Sequence, residues 1–99
     1  MPRIIVSKPA KSDMRAIVRY TVERWGANQA VRYVQGLRAC FELLANDPRI
    51  GRACDSISVG LRRHEHGKHV VFYRLSRDGI RIVRVLHQQM IPTKIHFEQ

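Results

Sequence analysis

Two neighbouring segments near the start of the chain carry apolar residues at every third or fourth position. The first, residues 9–25, follows a short β-branched run at residues 3–6 and ends just before Gly26. The second, residues 28–45, begins at Asn28, a residue type that can cap a helix. This period is typical of helices that bury one face. The link between the two segments is so short that it predicts an antiparallel helical hairpin. The stripes are Ala10, Met14, Ile17, Val18, Thr21, Val22 and Trp25, then Ala30, Val31, Val34, Leu37, Phe41 and Leu44.

The second half of the chain changes to the two-residue period of strands. Residues 46–60 have the composition of a loop, and strand-like runs follow at 61–66, 69–75 and 80–87. The pair Asp78-Gly79 is a strong signal for a hairpin between the last two. The order β-α-α-β-β-β predicts one α+β domain over residues 1–99, with a two-helix antiparallel hairpin on one face of a small antiparallel sheet.

Strict alternation along these strands leaves a second sheet face that mixes apolar and charged side chains. One side of strand 69–75 carries Phe72 between Val70 and Arg74, and one side of strand 80–87 carries Arg84 beside Leu86. The hairpin covers one face of so small a sheet. We expect the other face to be covered by a partner that presents apolar and acidic side chains, in preference to a tail formed by residues 91–97.

The charge of the chain points to an anionic partner. The formal net charge is +10, and arginine supplies 14 of the 18 cationic residues. Arginine makes forked contacts to carboxylates and phosphates, which suit nucleic acid or an acidic protein.

Cys40 and Cys54 have no metal-binding or redox spacing, and no run of membrane-spanning length occurs. We expect a cytoplasmic protein.

Histidines offer the main candidate chemistry. His64, His66 and His69 share a predicted hairpin, but no cysteine pair or H-E-x-x-H helix supports a metal, so a solvated hairpin tip is the preferred interpretation and we predict no metal and no cofactor. His87 with Arg84 or Arg74 could act as an acid–base group beside a phosphate clamp, as a ribonuclease requires. A structural histidine is the preferred interpretation. Trp25 lies near Tyr20 on the first helix and is expected in the core, in preference to a stacking platform.

The order and spacing of several short motifs resemble those of a known family. The stretch "YTVERWGANQAVRYVQGLRACFELLANDPRIGRACDSI" followed by "GLRRHEHGKHVVFYRLSRDGIRIVRVLHQQM" is similar to toxins of the RelE/ParE superfamily, and most to the ParE branch. The resemblance runs from Ile4 to about His96. The family fold is a two-helix hairpin on a small antiparallel sheet, which agrees with the pattern above.

The resemblance implies a function. ParE-type toxins block DNA gyrase and are held inactive, in a hetero-oligomeric complex, by a ParD-type antitoxin with an extended, partly helical segment. RelE-type relatives cut messenger RNA on the ribosome instead. A third alternative is a basic nucleic-acid-binding module. Gln88-Gln89-Met90 at the chain's end, and His69 on the middle strand, depart from the cutting relatives.

We therefore expect a gyrase-blocking toxin that is not an enzyme, does not engage a membrane and has no sequence-specific DNA binding of its own. If the chain were a nuclease, the candidate residues would be Arg84, His87, Arg74 and His69. The residues predicted to bind antitoxin are Arg62, Arg63, Phe72, Arg74, Arg84 and Leu86. Those predicted to contact the target are His87, Met90 and Lys94.

Overall fold

A helical hairpin is confirmed in the computed structural model, which describes residues 2–90. Helix α1 spans Lys8–Trp25 and helix α2 spans Ala27–Asn46. The Ser7 hydroxyl caps α1 by accepting from the Ala10 N–H at 3.1 Å, and it donates to the Val83 carbonyl at 2.9 Å. The predicted cap at Asn28 is wrong. The link is Gly26 alone, whose φ of 91° is open to glycine and strained for other residues, and α2 begins directly after it.

The helices lie against a five-stranded sheet, so the α+β architecture is confirmed. The spatial order is β1-β5-β4-β3-β2, and β1 pairs with β5 in parallel, which makes the sheet mixed rather than wholly antiparallel. Part of the predicted loop is ordered, as a 3₁₀ helix at Pro48–Ile50 and as strand β2. The strands are β1 Arg3–Val6, β2 Arg52–Ala53, β3 Arg62–His66, β4 His69–Ser76 and β5 Gly79–His87, and a 3₁₀ turn Gln88–Met90 follows.

The hairpin between β4 and β5 forms where predicted, but its turn is shifted by one residue. Ser76 pairs with Gly79, so Arg77 and Asp78 form the tip. Gly79 belongs to β5, and its φ is not positive. A Cβ at this position would overlap the Arg3 carbonyl of β1. The glycine therefore serves the close approach of β1 rather than the turn.

A bulge in β5 breaks the predicted alternation. The pairing shifts at Phe72/Tyr73, since Phe72 lies opposite Arg84 and Tyr73 opposite Ile82, which leaves Val83 as the extra residue. Before the bulge, Ile82 packs on the helix side. After it, Leu86 packs with Phe72 on the other side. The prediction of strict alternation along strand 80–87 is wrong for this reason.

Two apolar clusters lie on the two sides of the sheet. The helix-side cluster contains Leu37, Phe41 and Tyr73. On the second face, the segment around Cys54, Ile57 and Leu61 packs against β4 and β5, where the apolar side chains are buried. We expected a partner to cover this face, whereas the chain itself covers the apolar side chains. The alternative cover, residues 91–97, lies outside the described residues. The buried second-face residues of β4 and β5 are Val70, Phe72, Val83 and Leu86.

Exposure along α1 corrects another prediction. Ala10, Ile17 and Thr21 of its stripe are buried, but Trp25 is 68% exposed. Trp25 is the last residue of α1, so the chain turns away before another element can pack over it. No helix among residues 2–90 is long and apolar enough to cross a membrane.

Candidate functional site

The guanidinium of Arg84 is held inside the chain by α1. Its Nε and a terminal nitrogen donate to the two carboxylate oxygens of Asp13 at 2.8 and 2.9 Å. The Val85 N–H donates to the same carboxylate at 2.9 Å. The side chains of Arg84 and Asp13 are only 20% and 13% exposed. Arg84 is therefore paired with α1 inside the chain, and its hydrogen bonds to the carboxylate raise its pKa.

The arginines of β3 and β4 also have partners within the chain. Arg74 donates to the Val59 carbonyl at 2.6 Å and to the Ser58 hydroxyl at 2.5 Å. Arg62 donates twice to the Gly51 carbonyl, at 2.7 and 3.0 Å. Both contacts tie the 48–60 segment to the sheet.

Arg63 lies over the buried ring of Phe72, with 5.6 Å between its guanidinium carbon and the ring centroid. Arg63 and Arg52 both donate to the Glu65 carboxylate, at 3.1 and 2.6 Å. Burial acts to raise the pKa of Glu65, but hydrogen bonds from its own backbone N–H and from Arg63 and Arg52, together with the charge of Arg52, lower this pKa overall. The predicted antitoxin-binding arginines are thus engaged in holding the fold.

A tyrosine and two histidines meet at the end of the sheet nearest the link between the helices. The Tyr33 hydroxyl lies 2.6 Å from Nδ1 of His69, and the His69 ring meets the His87 ring edge to face with centroids 5.4 Å apart. Burial, followed by repulsion from His87 and His66, lowers the pKa of His69 to about 4. Burial likewise raises the pKa of Tyr33. His69 is therefore neutral at neutral pH.

These groups line an open cleft of about 480 Å³. The cleft lies between the end of α1, the start of α2 and the β3–β4 turn. Among the described residues that line it, the charged side chains are Arg24 and Lys68, and none is a carboxylate. Its lining is completed by Tyr20, Thr21, Trp25, Gln29, Tyr33, Gly67, His69 and His87.

A second open site is an apolar groove of about 530 Å³ between the two helices and β1. Its floor is Phe41 with β-branched and methionine side chains, and its rim carries three cations and one carboxylate. Within residues 2–90, β1 pairs on one side only, so its outer edge is open beside the groove. The groove is lined by Ile4, Val6, Lys11, Met14, Arg15, Val18, Val34, Arg38, Phe41 and Glu42.

The other residues considered from the sequence are possible metal ligands, the two cysteines, Met90 and Lys94. Within the described part of the chain, no three His, Cys, Asp or Glu side chains gather as a metal site. Cys40 and Cys54 are free and buried, and burial raises the pKa of each thiol. Met90 ends the last 3₁₀ turn. Lys94 lies outside the described residues.

Sequence reasoning missed Asp13 and Tyr33. Both had a signal. Asp13 is three residues after buried Ala10 and four before buried Ile17, and a carboxylate on the buried side of a helix indicates an internal cation. Tyr33 is likewise three residues after Ala30 on α2.

The fold is shared with a solved toxin–antitoxin system. A structure described as the chromosomal ParDE system of P. aeruginosa matches with a TM-score of 0.74 and 22% identity, over 88% of this chain and 96% of the other. This likeness shows that the two chains share a fold.

The family follows from the sequence matches. The model of the ParE toxin of type II toxin–antitoxin systems, parDE, matches residues 4–92, and the chain belongs to this family. Toxin ParE1 of Mycobacterium tuberculosis is 43% identical over 89% of this chain and 91% of its own length. Toxin ParE1 of Caulobacter vibrioides is 42% identical over 86% and 88%. The chain is the toxin component of a type II toxin–antitoxin system.

Proposed function

We propose that this toxin blocks DNA gyrase by binding it, without chemistry of its own, and that a ParD-type antitoxin neutralises it in the cytoplasm. Membership of the ParE family supports this target. The structural observation that carries binding over cutting is the Asp13–Arg84 pair. A guanidinium already neutralised by a two-pronged carboxylate contact is a poor clamp for the charge that develops during phosphodiester cleavage.

Messenger cleavage is the second candidate, and the paired rings of His69 and His87 are the observation that favours it. A general base works best when its pKa lies near the working pH. The pKa of His69, about 4, makes it a weak base, and no carboxylate among the described residues lines the cleft to replace it. The gyrase proposal therefore has the stronger support.

Two assays on the purified toxin separate these functions. We expect inhibition of gyrase supercoiling with trapped cleavage complexes, and no cuts in messenger RNA on translating ribosomes. Codon-dependent cuts with intact gyrase activity would overturn the proposal. His87→Ala adds a second discrimination: a target contact loses toxicity and gyrase binding together, whereas a catalytic group loses toxicity with gyrase binding preserved.

The apolar groove is a better binding site for the antitoxin than the second sheet face. The predicted second face has its apolar side chains buried and its arginines partnered, whereas the groove is open. An amphipathic helix fits such a groove, and an extended stretch can add to the free edge of β1. Carboxylates of the antitoxin would face Lys11, Arg15 and Arg38 on the rim. We propose a hetero-oligomeric complex formed in this way.

Val18→Asp tests the groove, because Val18 lines it and is 38% exposed. A buried charge opposite an apolar anchor should weaken antitoxin binding by about 2 kcal/mol or more, measured by calorimetry. Val22→Asp is the matched control, since Val22 lies one turn further along α1, is 41% exposed and does not line the groove. Equal affinities of the two variants would rule the groove out.

A further inference from the structure

The cleft beside the link of the hairpin has a composition that the antitoxin groove lacks. The two sites share no lining residue. The walls of the cleft are aromatic side chains from the end of α1, and its other side carries polar groups of the β3–β4 turn and of β5. Neither the antitoxin contact nor the internal arginine pairs use it.

Two aromatic rings in this cleft are open to solvent. Trp25 is 68% exposed and Tyr20 is 51% exposed. The Arg24 guanidinium carbon lies 5.3 Å from the centroid of the Tyr20 ring, so the cation and the ring already form one surface. Exposed aromatic surface with a planar cation beside it provides stacking positions for another flat, electron-rich ring.

The charged and polar groups of the cleft complement a phosphodiester. Arg24 and Lys68 are cationic, and the described lining contains no carboxylate to repel an anion. Neutral His69 and its neighbour His87 add ring nitrogens that can hydrogen-bond to a base edge. The cleft, at about 480 Å³, has room for a single nucleotide.

We propose that this cleft binds an unpaired nucleotide of single-stranded DNA, with the base stacked on Trp25 and Tyr20 and the phosphate held by Arg24 and Lys68. Stacking on a ring face accepts every base, so the contact is independent of sequence. The choice of DNA over RNA rests on the proposed gyrase target, whose cleavage complex contains broken DNA. An acidic peptide would satisfy the two cations but would leave the exposed rings unused.

Trp25 is the sole tryptophan of the chain and therefore reports on its own site. A short oligothymidylate added to the full-length toxin, without gyrase, should quench the tryptophan fluorescence in a saturable manner. Inorganic polyphosphate and a poly-glutamate peptide supply the charge without bases. We expect neither to quench. Quenching by poly-glutamate equal to that by the oligonucleotide would overturn the proposal in favour of an acidic peptide.

Substitutions then separate stacking from general charge attraction. Trp25→Ala should weaken binding of a fluorescein-labelled oligothymidylate about ten-fold or more, because one stacked base is lost. The charge of the chain is unchanged in this variant. Val31→Ala, which removes a 54% exposed apolar side chain of α2 outside the cleft, is the control. Equal affinity of the two variants would contradict the stacking.

The phosphate contact is tested by salt. Arg24→Gln with Lys68→Gln should reduce the slope of log affinity against log salt by about 0.7, since the one single-strand phosphate held by the two cations is no longer neutralised. Arg49→Gln with Arg77→Gln has the same net charge but lies away from the cleft, and should leave the slope nearly unchanged. Equal slopes in the two double variants would overturn the assignment.

Failure of this proposal and failure of the proposed function give different results. Oligothymidylate binding at the cleft without gyrase inhibition would support the nucleotide site and contradict the proposed gyrase target. Gyrase inhibition by a toxin that binds no oligonucleotide would support the gyrase target and contradict the nucleotide site. Tighter binding of oligouridylate than of oligothymidylate would overturn the assignment to DNA.

Discussion

The carboxylate of Asp13 joins three parts of the molecule at once. It neutralises Arg84, accepts the Val85 N–H just after the bulge, and thereby fixes β5 to α1. Because both side chains are mostly buried, the loss of one partner leaves a charge without compensation in a poorly solvated place. The pair is therefore a structural element of the fold and sets the orientation of the bulge.

Asp13→Ala should consequently lower the free energy of unfolding by roughly 3 kcal/mol, measured as a shift of the urea midpoint. Glu65→Ala provides the comparison, because it breaks ion pairs in which the Arg52 side chain is 69% exposed and the Glu65 side chain 41% exposed. It should cost about 0.5 kcal/mol or less. Similar losses in the two variants would show that burial does not decide the strength of these pairs.

His69 gives the stability a pH dependence of known sign. Its pKa falls from an ordinary 6.5 to about 4 on folding, first through burial and then through His87 and His66. The unfolded chain therefore binds this proton more readily than the folded chain does. The stability contributed by neutral His69 is fully present above pH 6.5 and is lost as the pH falls from 6.5 towards 4.

The loss should amount to roughly 2 kcal/mol, after a reduction for partial exposure of the ring. Urea unfolding at several pH values across that window measures it, with His69→Gln as the reference. The variant should show a smaller decrease in stability than the natural protein over the same range. Parallel decreases in the two proteins would exclude His69 as the source.

At the scale of elements, periodic patterns predicted the hairpin and the main strands well. Apolar spacing fixes which helix face is buried, and this information is local. The parallel pairing of β1 and the short strand β2 are contacts between distant segments, and no local period encodes them. The bulge at Val83 was missed because one inserted residue reverses the alternation without any change in composition.

Gly79 was predicted as a turn residue, but it is needed for the close approach of β1. Gly79→Ala should destabilise the fold by about 2 kcal/mol or more, because the new Cβ would overlap the Arg3 backbone and push β1 from the sheet. Ser76→Ala, at the residue opposite, should cost less than about 0.5 kcal/mol. Hydrogen exchange provides the specific readout, since amides of β1 should lose protection before those of β4. Uniform loss of protection would contradict a local displacement of β1.

At the scale of the whole molecule, the candidate sites were only partly predictable. His87 and His69 were identified as candidates from the sequence, and both line the cleft. Tyr33 was not identified, although its spacing from Ala30 indicated the buried side of α2. Trp25 was assigned to the core, because exposure at a helix end depends on where the chain turns. The arginines assigned to a partner turned out to have internal contacts, since charge in a sequence does not reveal whether its counter-charge lies in the same chain.

The net charge of +10 nevertheless has a consequence for the proposed antitoxin. Internal pairs occupy a few of the 18 cationic residues, and the large excess that is left creates a positive field around the molecule. Such a field speeds the approach of an acidic partner, whereas contacts in the apolar groove determine how long that partner stays.

Raising the salt from about 50 to about 500 mM should therefore slow association with the antitoxin roughly ten-fold and change dissociation little. Surface plasmon resonance measures both rates. Val18→Asp should have the opposite signature, with faster dissociation and nearly unchanged association, because it alters the groove and only one unit of charge. If salt acted mainly on dissociation instead, the complex would be held by ion pairs at the interface, and the apolar groove would not be its anchor.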